Sequence, residues 1–263
     1  MAENEKCILL EKIGLNRDIA LITLNRQQAL NSLNAEMLCR LEEIFLSLKD
    51  DSNCEVIIIS AKGKSWCAGV DLKWMASMEK NVDEVIKKGQ EVFATIETHP
   101  CPVIAAINGY ALGGGMELAL ACDIRIAAET ALFGQPEVTI GLAPGWGATY
   151  RLPKVVGLGI AKELILTGRK FSAEEAYRIN LVSAIYPLED LDKKALELAE
   201  TIALNAPIAV KEAKKAINSG LHVSIEGGYR AELKGASVCF ETEDIREGIE
   251  AILEKRKPAF KGK

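Results

Sequence analysis

Three consecutive glycines, Gly113, Gly114 and Gly115, precede Met116 and Glu117 in the segment NGYALGGGMELALACD at positions 108–123. Glu117 opens an apolar run, Leu118 to Ala121, where a carboxylate is costly unless it is paired, hydrogen-bonded or put to use. Glycine loses more conformational freedom on folding than any other residue, so the triplet also needs a reason. The preceding VIAAI, Val103–Ile107, has strand character, and the pattern predicts a strand, a tight connection and a helix beginning near Gly115. A helix start exposes unpaired backbone N–H groups and partial positive charge, and glycine there lets an oxygen atom come close. Close strand–helix packing accounts for the glycines equally well.

Two further segments repeat the theme. After VIIIS comes AKGKSWCAGVDLKWM, a strand entering a turn that holds Ala68, Gly69, Val70 and Asp71. If adjacent α/β units set the two turns side by side, two main-chain N–H groups converge on one oxygen. Such an oxyanion hole stabilises charge on a carbonyl oxygen, each donor contributing ~3–4 kcal/mol in the transition state. In ALFGQPEVTIGLAPGWGATYRLP, residues 131–153, Glu137 follows Pro136 among glycines, prolines and apolar residues. Alone it reads as a surface or cap residue. Beside Glu117 it makes a pair of partly desolvated carboxylates, whose raised pKa values suit acid–base work near neutral pH.

Other chemistries fail on residue count or spacing. The chain has 263 residues, a net charge of −5, seven cysteines and two histidines. The charge speaks against nucleic acid as a partner. The two histidines exclude a His-rich metal site; His99, in the turn THPCP, and His222, at an apparent helix start, suit capping or surface roles. No G-x-S-x-G is present, the glycine run is not G-x-G-x-x-G, Gly145–Gly147 lacks a third glycine, and Ile58 stands where a P-loop ending in Gly63-Lys64-Ser65 needs its first glycine. The cysteines form no C-x-x-C pair, and Cys54, Cys67, Cys101 and Cys122 lie in or beside apolar segments, as expected of reduced thiols in a cytoplasmic protein. No apolar run is long enough to span a bilayer, and MAENEKCILLEKIG does not read as a secretory signal.

The elements that would position these residues alternate. Strand-length runs rich in Ile, Val and Ala occur at Ile19–Leu24, 56–60, Val103–Ile107 and 124–127, with helices predicted over Ala35–Lys49, 81–97 and 115–122. This predicts a right-handed α/β winding of loosely repeated units. Beyond about residue 160 strand signals nearly vanish. Ser172 and Glu175 stand at capping-box spacing, and helices are predicted at Leu191–Ala203, 207–219, 223–240 and 244–256, the last ending in Lys255, Arg256 and Lys257. The expected division is an α/β core over 1–195 and a helical region over 196–263.

Taken together, NRQQALNSLN, WCAGVD at 66–71, NGYALGGGMELALACDIRIA at 108–127, FGQPEVTIGLAPGWGATYRLP at 133–153 and the tail FETEDIREGIEAILEKRKPAFKGK resemble the enoyl-CoA hydratase (crotonase) family, in its order and over essentially the whole chain. The resemblance implies a crotonase-like spiral of ββα units with a C-terminal helical trimerisation region, assembled as a homotrimer or a dimer of trimers. It implies an acyl-CoA thioester substrate whose carbonyl oxygen is held by the amides of Ala68 and Gly114. Glu117 would activate water for attack at C3 and Glu137 would exchange the proton at C2. No separate cofactor is implied, since coenzyme A arrives with the substrate, and its contacts would come from Ala68, Gly69, Val70, Asp71 and Gly114. Lys255 would reach a coenzyme A phosphate across a subunit boundary, unless it is simply a solvated helix end. Met116 and Ala148 depart from the commoner family residues, and Trp146 and Trp74 add bulk near the implied acyl pocket. An isomerase or acyl-CoA hydrolase of the same superfamily, and a non-catalytic CoA- or RNA-binding oligomer, remain alternatives.

Overall fold

The computed structural model describes residues 6–14, 16, 18–77, 82–220 and 223–263. It opens on an antiparallel pair, β1 (Ile8–Ile13) and β2 (Ile19–Leu24). Asn34 then starts α1 (Ala35–Lys49), its side chain accepting from the Met37 amide at 3.0 Å. Strand–strand–helix turns follow. The first comprises β3 (Val56–Ala61), β4 (Ser65–Cys67), α2 (Leu72–Ala76) and α3 (Val82–Glu97). The second is β5 (Val103–Ile107), β6 (Tyr110–Leu112) and α4 (Gly114–Ala121). The third is β7 (Ile124–Ala128), β8 (Leu132–Gly134), a 3-10 turn at Pro136–Ile140 and α5 (Ala148–Val156). Next come α6 (Leu158–Thr167), β9 (Lys170–Ser172), α7 (Ala173–Arg178) and β10 (Ala184–Tyr186). The chain closes with α8 (Leu191–Ala203), α9 (Pro207–Gly220), α10 (Ile225–Phe240) and α11 (Glu243–Glu254).

In each turn the first strand joins one sheet and the second joins another, giving the expected spiral of ββα units. The large sheet runs β1-β2-β3-β5-β7-β10, parallel from β2 onward. The small sheet runs β4-β6-β8-β9, parallel but for β9. Side chains of the large sheet alternate between two cores. Ile57, Ile59, Val103, Ala105 and Ile107 pack with Phe45, Trp66 and Phe133, whereas Val56, Ile58, Ile104 and Ala106 pack with Leu191, Ala195 and Ala199 of α8. A sheet covered on both faces needs apolar residues at every position, which is why these strands read as unbroken apolar runs.

The expected boundary at 195/196 falls inside α8, whose buried residues belong to the core beneath the large sheet. Farther along, α9 is tied to the core by Lys214, whose ammonium lies 2.6 Å from Asp123 Oδ2 and 3.0 Å from the Cys101 carbonyl oxygen. Strands do occur beyond residue 160, but β9 and β10 are only three residues each. Half of the capping box forms: Ser172 accepts from the Glu175 amide, while the Glu175 carboxylate turns to Arg169 at 2.6 Å. All seven cysteines are free and five are buried. His99 is a correction in part. It caps, accepting from the Cys101 amide at 3.1 Å, but it is buried edge-on against Phe45 and not on the surface. His222 lies outside the described residues.

Candidate active site

The small sheet gathers the chemistry. β4, β6 and β8 are successive parallel neighbours, with Cys67 opposite Ala111 and Ala111 opposite Phe133. Their carboxyl ends therefore release residues 68–71, Gly113–Gly114 and 135–137 at one edge, the side of a parallel sheet on which ligands bind. A cavity of about 260 Å³ opens there, and Ala68, Gly69, Val70, Gly113, Gly114, Glu117 and Glu137 all line it.

Each glycine of the triplet has its own reason. Gly115 is packing: a Cβ there would stand 2.1 Å from the Cys67 carbonyl oxygen. Gly113 takes φ +52° and ψ −123°, outside the range of ordinary L residues, and its missing side chain leaves room for Glu137, whose Oε1 would lie 2.8 Å from a Cβ. Gly114 heads α4, so its N–H has no partner within the helix and pairs with no other described residue.

Glu117 sits in the first turn of α4, 2% exposed. Its Oε1 accepts from the amides of Trp146 at 2.8 Å and Ala148 at 3.0 Å, and Oε2 takes no hydrogen bond from the described residues. Burial is the main force raising its pKa to about 7; the two amides oppose that and the charge of Glu137 adds to it. Glu137 is also buried and its pKa is raised, again chiefly by desolvation, while its own backbone amide and Gln135 favour the charged form. Gln135 Nε2 donates to its Oε1 at 2.7 Å, and Oε2 has no partner among the described residues. Two carboxylates thus face one apolar space, each with one oxygen held and one free.

Behind Glu117 stands an arginine that the sequence did not single out. Arg151 donates to the Trp146 carbonyl oxygen at 2.9 Å and to Glu97 Oε2 at 2.7 Å. It thereby clamps to α3 the loop whose amides hold Glu117. A Cβ on Gly147 would lie 2.0 Å from Arg151 Nη1, so the glycine between Trp146 and Ala148 makes room for the clamp.

The turn after β4 departs from expectation. The Ala68 amide donates to the Leu30 carbonyl oxygen at 3.1 Å and is not available to a ligand. Leu33 pairs with the next residues, donating to the Gly69 carbonyl oxygen at 2.7 Å and accepting from the Asp71 amide at 2.9 Å. Along an extended strand successive residues point their N–H and C=O groups to opposite sides. The Val70 N–H therefore points away from Leu33. It has no partner among the described residues, and Val70 Cγ2 lies 3.2 Å from where a Gly114 Cβ would be. The free amide facing Gly114 is that of Val70, not Ala68.

The Enoyl-CoA hydratase/isomerase family model matches residues 14–263. The chain belongs to this family. It is 43% identical over 254 residues to the short-chain-enoyl-CoA hydratase of Clostridium acetobutylicum, covering 95% of each protein. It is 42% identical over 255 residues to the crotonyl-CoA hydratase of Syntrophomonas wolfei, covering 96% of this chain and 97% of that protein. The crystal structure of an enoyl-CoA hydratase from Bacillus anthracis superposes with a TM-score of 0.95 at 43% identity, over 98% of this chain and all of that one.

In this family member two of the expected contact residues stand elsewhere. Asp71 caps α2, accepting from the Lys73 and Trp74 amides at 2.9 and 3.2 Å, and pairs with Arg26 at 2.6 Å, so its carboxylate is engaged in the scaffold. Lys255 terminates α11 in a left-handed conformation, away from the cavity lining. Trp74 packs against the core, and its neighbours Leu72 and Met75 reach the cavity instead. Asn31, another residue missed in the sequence, organises the loop that supplies Leu30 and Leu33. It is fully buried at φ +56° and bonds the Arg26 amide and the Lys62 and Ser65 carbonyl oxygens at 2.7–2.9 Å. The signal for it was the NRQQALNSLN motif.

Proposed function

We propose that this protein reversibly hydrates 2-trans-enoyl-CoA thioesters to 3-hydroxyacyl-CoA. The observation that carries this is the pair of buried carboxylates, Glu117 and Glu137, on one apolar cavity with the unpaired amides of Val70 and Gly114. The names of the relatives, a short-chain-enoyl-CoA hydratase and a crotonyl-CoA hydratase, support it.

The thioester carbonyl oxygen would rest on the Val70 and Gly114 amides, with Ala68 and Gly69 forming the adjoining wall for the coenzyme A arm. Those amides stabilise the negative charge that reaches this oxygen when C3 is attacked. Glu117 takes a proton from water as its oxygen bonds to C3, and Glu137 delivers a proton to C2. The proton gained by one carboxylate balances that lost by the other. The raised pKa values of both favour a single proton held between them. Addition of water is redox-neutral and draws only on these groups, so the mechanism calls for no cofactor beyond the substrate's own coenzyme A.

We further infer a homotrimer or dimer of trimers. The apolar surface that Ile217, Tyr229, Leu233, Phe240, Ile252 and Leu253 leave exposed on α9, α10 and α11 supports this reading, in which Lys255 at the end of α11 would reach a neighbouring subunit's substrate. The free thiols accord with a reducing, cytoplasmic setting. Among the described residues no helix is long and apolar enough to cross a membrane. The deciding experiment is incubation with crotonyl-CoA in ¹⁸O water: label is expected at C3 of 3-hydroxybutyryl-CoA. Its absence under conditions where the enzyme turns over a 3-enoyl-CoA would replace hydration with double-bond isomerisation.

A further inference from the structure

We propose that Trp146, seated against Gly89, is the wall that restricts the acyl pocket to short, apolar, crotonyl-sized chains. This rests on enoyl-thioester hydration as the activity.

Gly89 stands in the middle of α3, where glycine is a poor helix former. A Cβ at that position would lie 2.3 Å from both Cε2 and Nε1 of Trp146, so only glycine lets the indole into this hollow. The ring is 4% exposed and meets Phe93 edge-to-face, centroids 5.6 Å apart at 82°. Its other edge reaches the reacting centre: Cζ3 lies 3.0 Å from where a Gly114 Cβ would be, and the Trp146 amide holds Glu117 at 2.8 Å. Trp146 thus links α3 to the reacting centre, its ring lying between Gly89 and Gly114 and its backbone amide holding Glu117. An acyl chain continuing past C3 meets this ring within a few carbons. The surrounding lining, Ile86, Leu142 and Ala143, is apolar and offers no partner to a charged acyl terminus.

The test compares kcat/KM for crotonyl-, hexenoyl- and octenoyl-CoA in the wild type and in Trp146→Ala, which keeps the amide that holds Glu117. The wild-type value is expected to fall with chain length. In Trp146→Ala the octenoyl-to-crotonyl ratio is expected to rise at least about tenfold, the lower end of what one methylene is worth in an apolar pocket. An unchanged ratio, or a wild type that prefers octenoyl-CoA, overturns the proposal. A second measurement does not depend on turnover. Gly89→Ala is expected to lower Tm in the wild type and to raise it in the Trp146→Ala background, where the hollow is empty and alanine favours the helix. An equal fall in both backgrounds refutes the seat. If the wild type hydrates none of the esters, the activity assignment fails, and the Tm comparison still decides whether Gly89 seats Trp146.

Discussion

Replacing Glu117 by glutamine should remove most turnover and yet make the fold more stable. Burial moves this carboxyl from 4.5 to about 7. At about 1.4 kcal/mol per pH unit, keeping it ionised costs the folded state about 3 kcal/mol relative to the unfolded chain. Glutamine has the same shape, and its carbonyl oxygen can still accept from the Trp146 and Ala148 amides. The gain must follow pH in one direction. Below 4.5 both folded and unfolded chains carry the proton and the substitution gains nothing. Between 4.5 and 7 the unfolded chain ionises first and the gain grows, reaching its full value above 7. Urea denaturation at fixed protein concentration should therefore show Glu117→Gln more stable by about 3 kcal/mol at pH 8, and by less than about 1 kcal/mol at pH 5. Hydration of crotonyl-CoA should fall by ~10²–10⁴-fold in the same variant. A variant no more stable than wild type at pH 8, or one with equal gains at both pH values, would show that Glu117 is not held against its own charge.

Under the proposed mechanism Glu117 must be ionised and Glu137 protonated, so kcat/KM should rise with pH toward about 7 as Glu117 ionises and fall again at higher pH as Glu137 gives up the proton it delivers. A profile without the acid limb would contradict Glu117 as base, and one without the alkaline limb Glu137 as acid. Gly113→Ala places a methyl group 2.8 Å from Glu137 Oε1 on a backbone conformation reserved for glycine, so it should cost about 1–3 kcal/mol by chemical denaturation and also lower kcat. Lys214→Met leaves Asp123 without its cation in a largely buried setting and should destabilise by ~3–5 kcal/mol; adding Asp123→Asn should recover part of that loss, as a double-mutant cycle would show.

The long strands and helices were legible because their patterns are long. Ile19–Leu24, Val103–Ile107, Ala35–Lys49 and Leu191–Ala203 were predicted with the bounds they have. The small sheet was not, since β4, β6 and β8 hold three residues each, too few for a period to declare itself. Yet those strands align the turns that carry the candidate site. Glu117 and Glu137 stood out because acids in apolar surroundings need a reason. Which amide of the 68–71 turn is free could not be read from composition, because Leu30 and Leu33, about forty residues earlier, decide it by pairing with Ala68, Gly69 and Asp71. Arg151 and Gly89 escaped notice for a similar cause: each matters through one distant partner, Glu97 or Trp146.

That the proposed reacting groups come from three successive windings has a bearing on biogenesis. Val70, Gly114 and Glu137 belong to different passes of the chain; the first two meet when the second pass docks beside the first, and Glu137 joins them only when the third docks beside the second. A nascent polypeptide stalled before residue 134 would lack Glu137 and with it the complete set. Recovery of turnover during refolding is thus a clock for closure of the third winding, and it should lag behind the burial of Trp66 in the earlier layers.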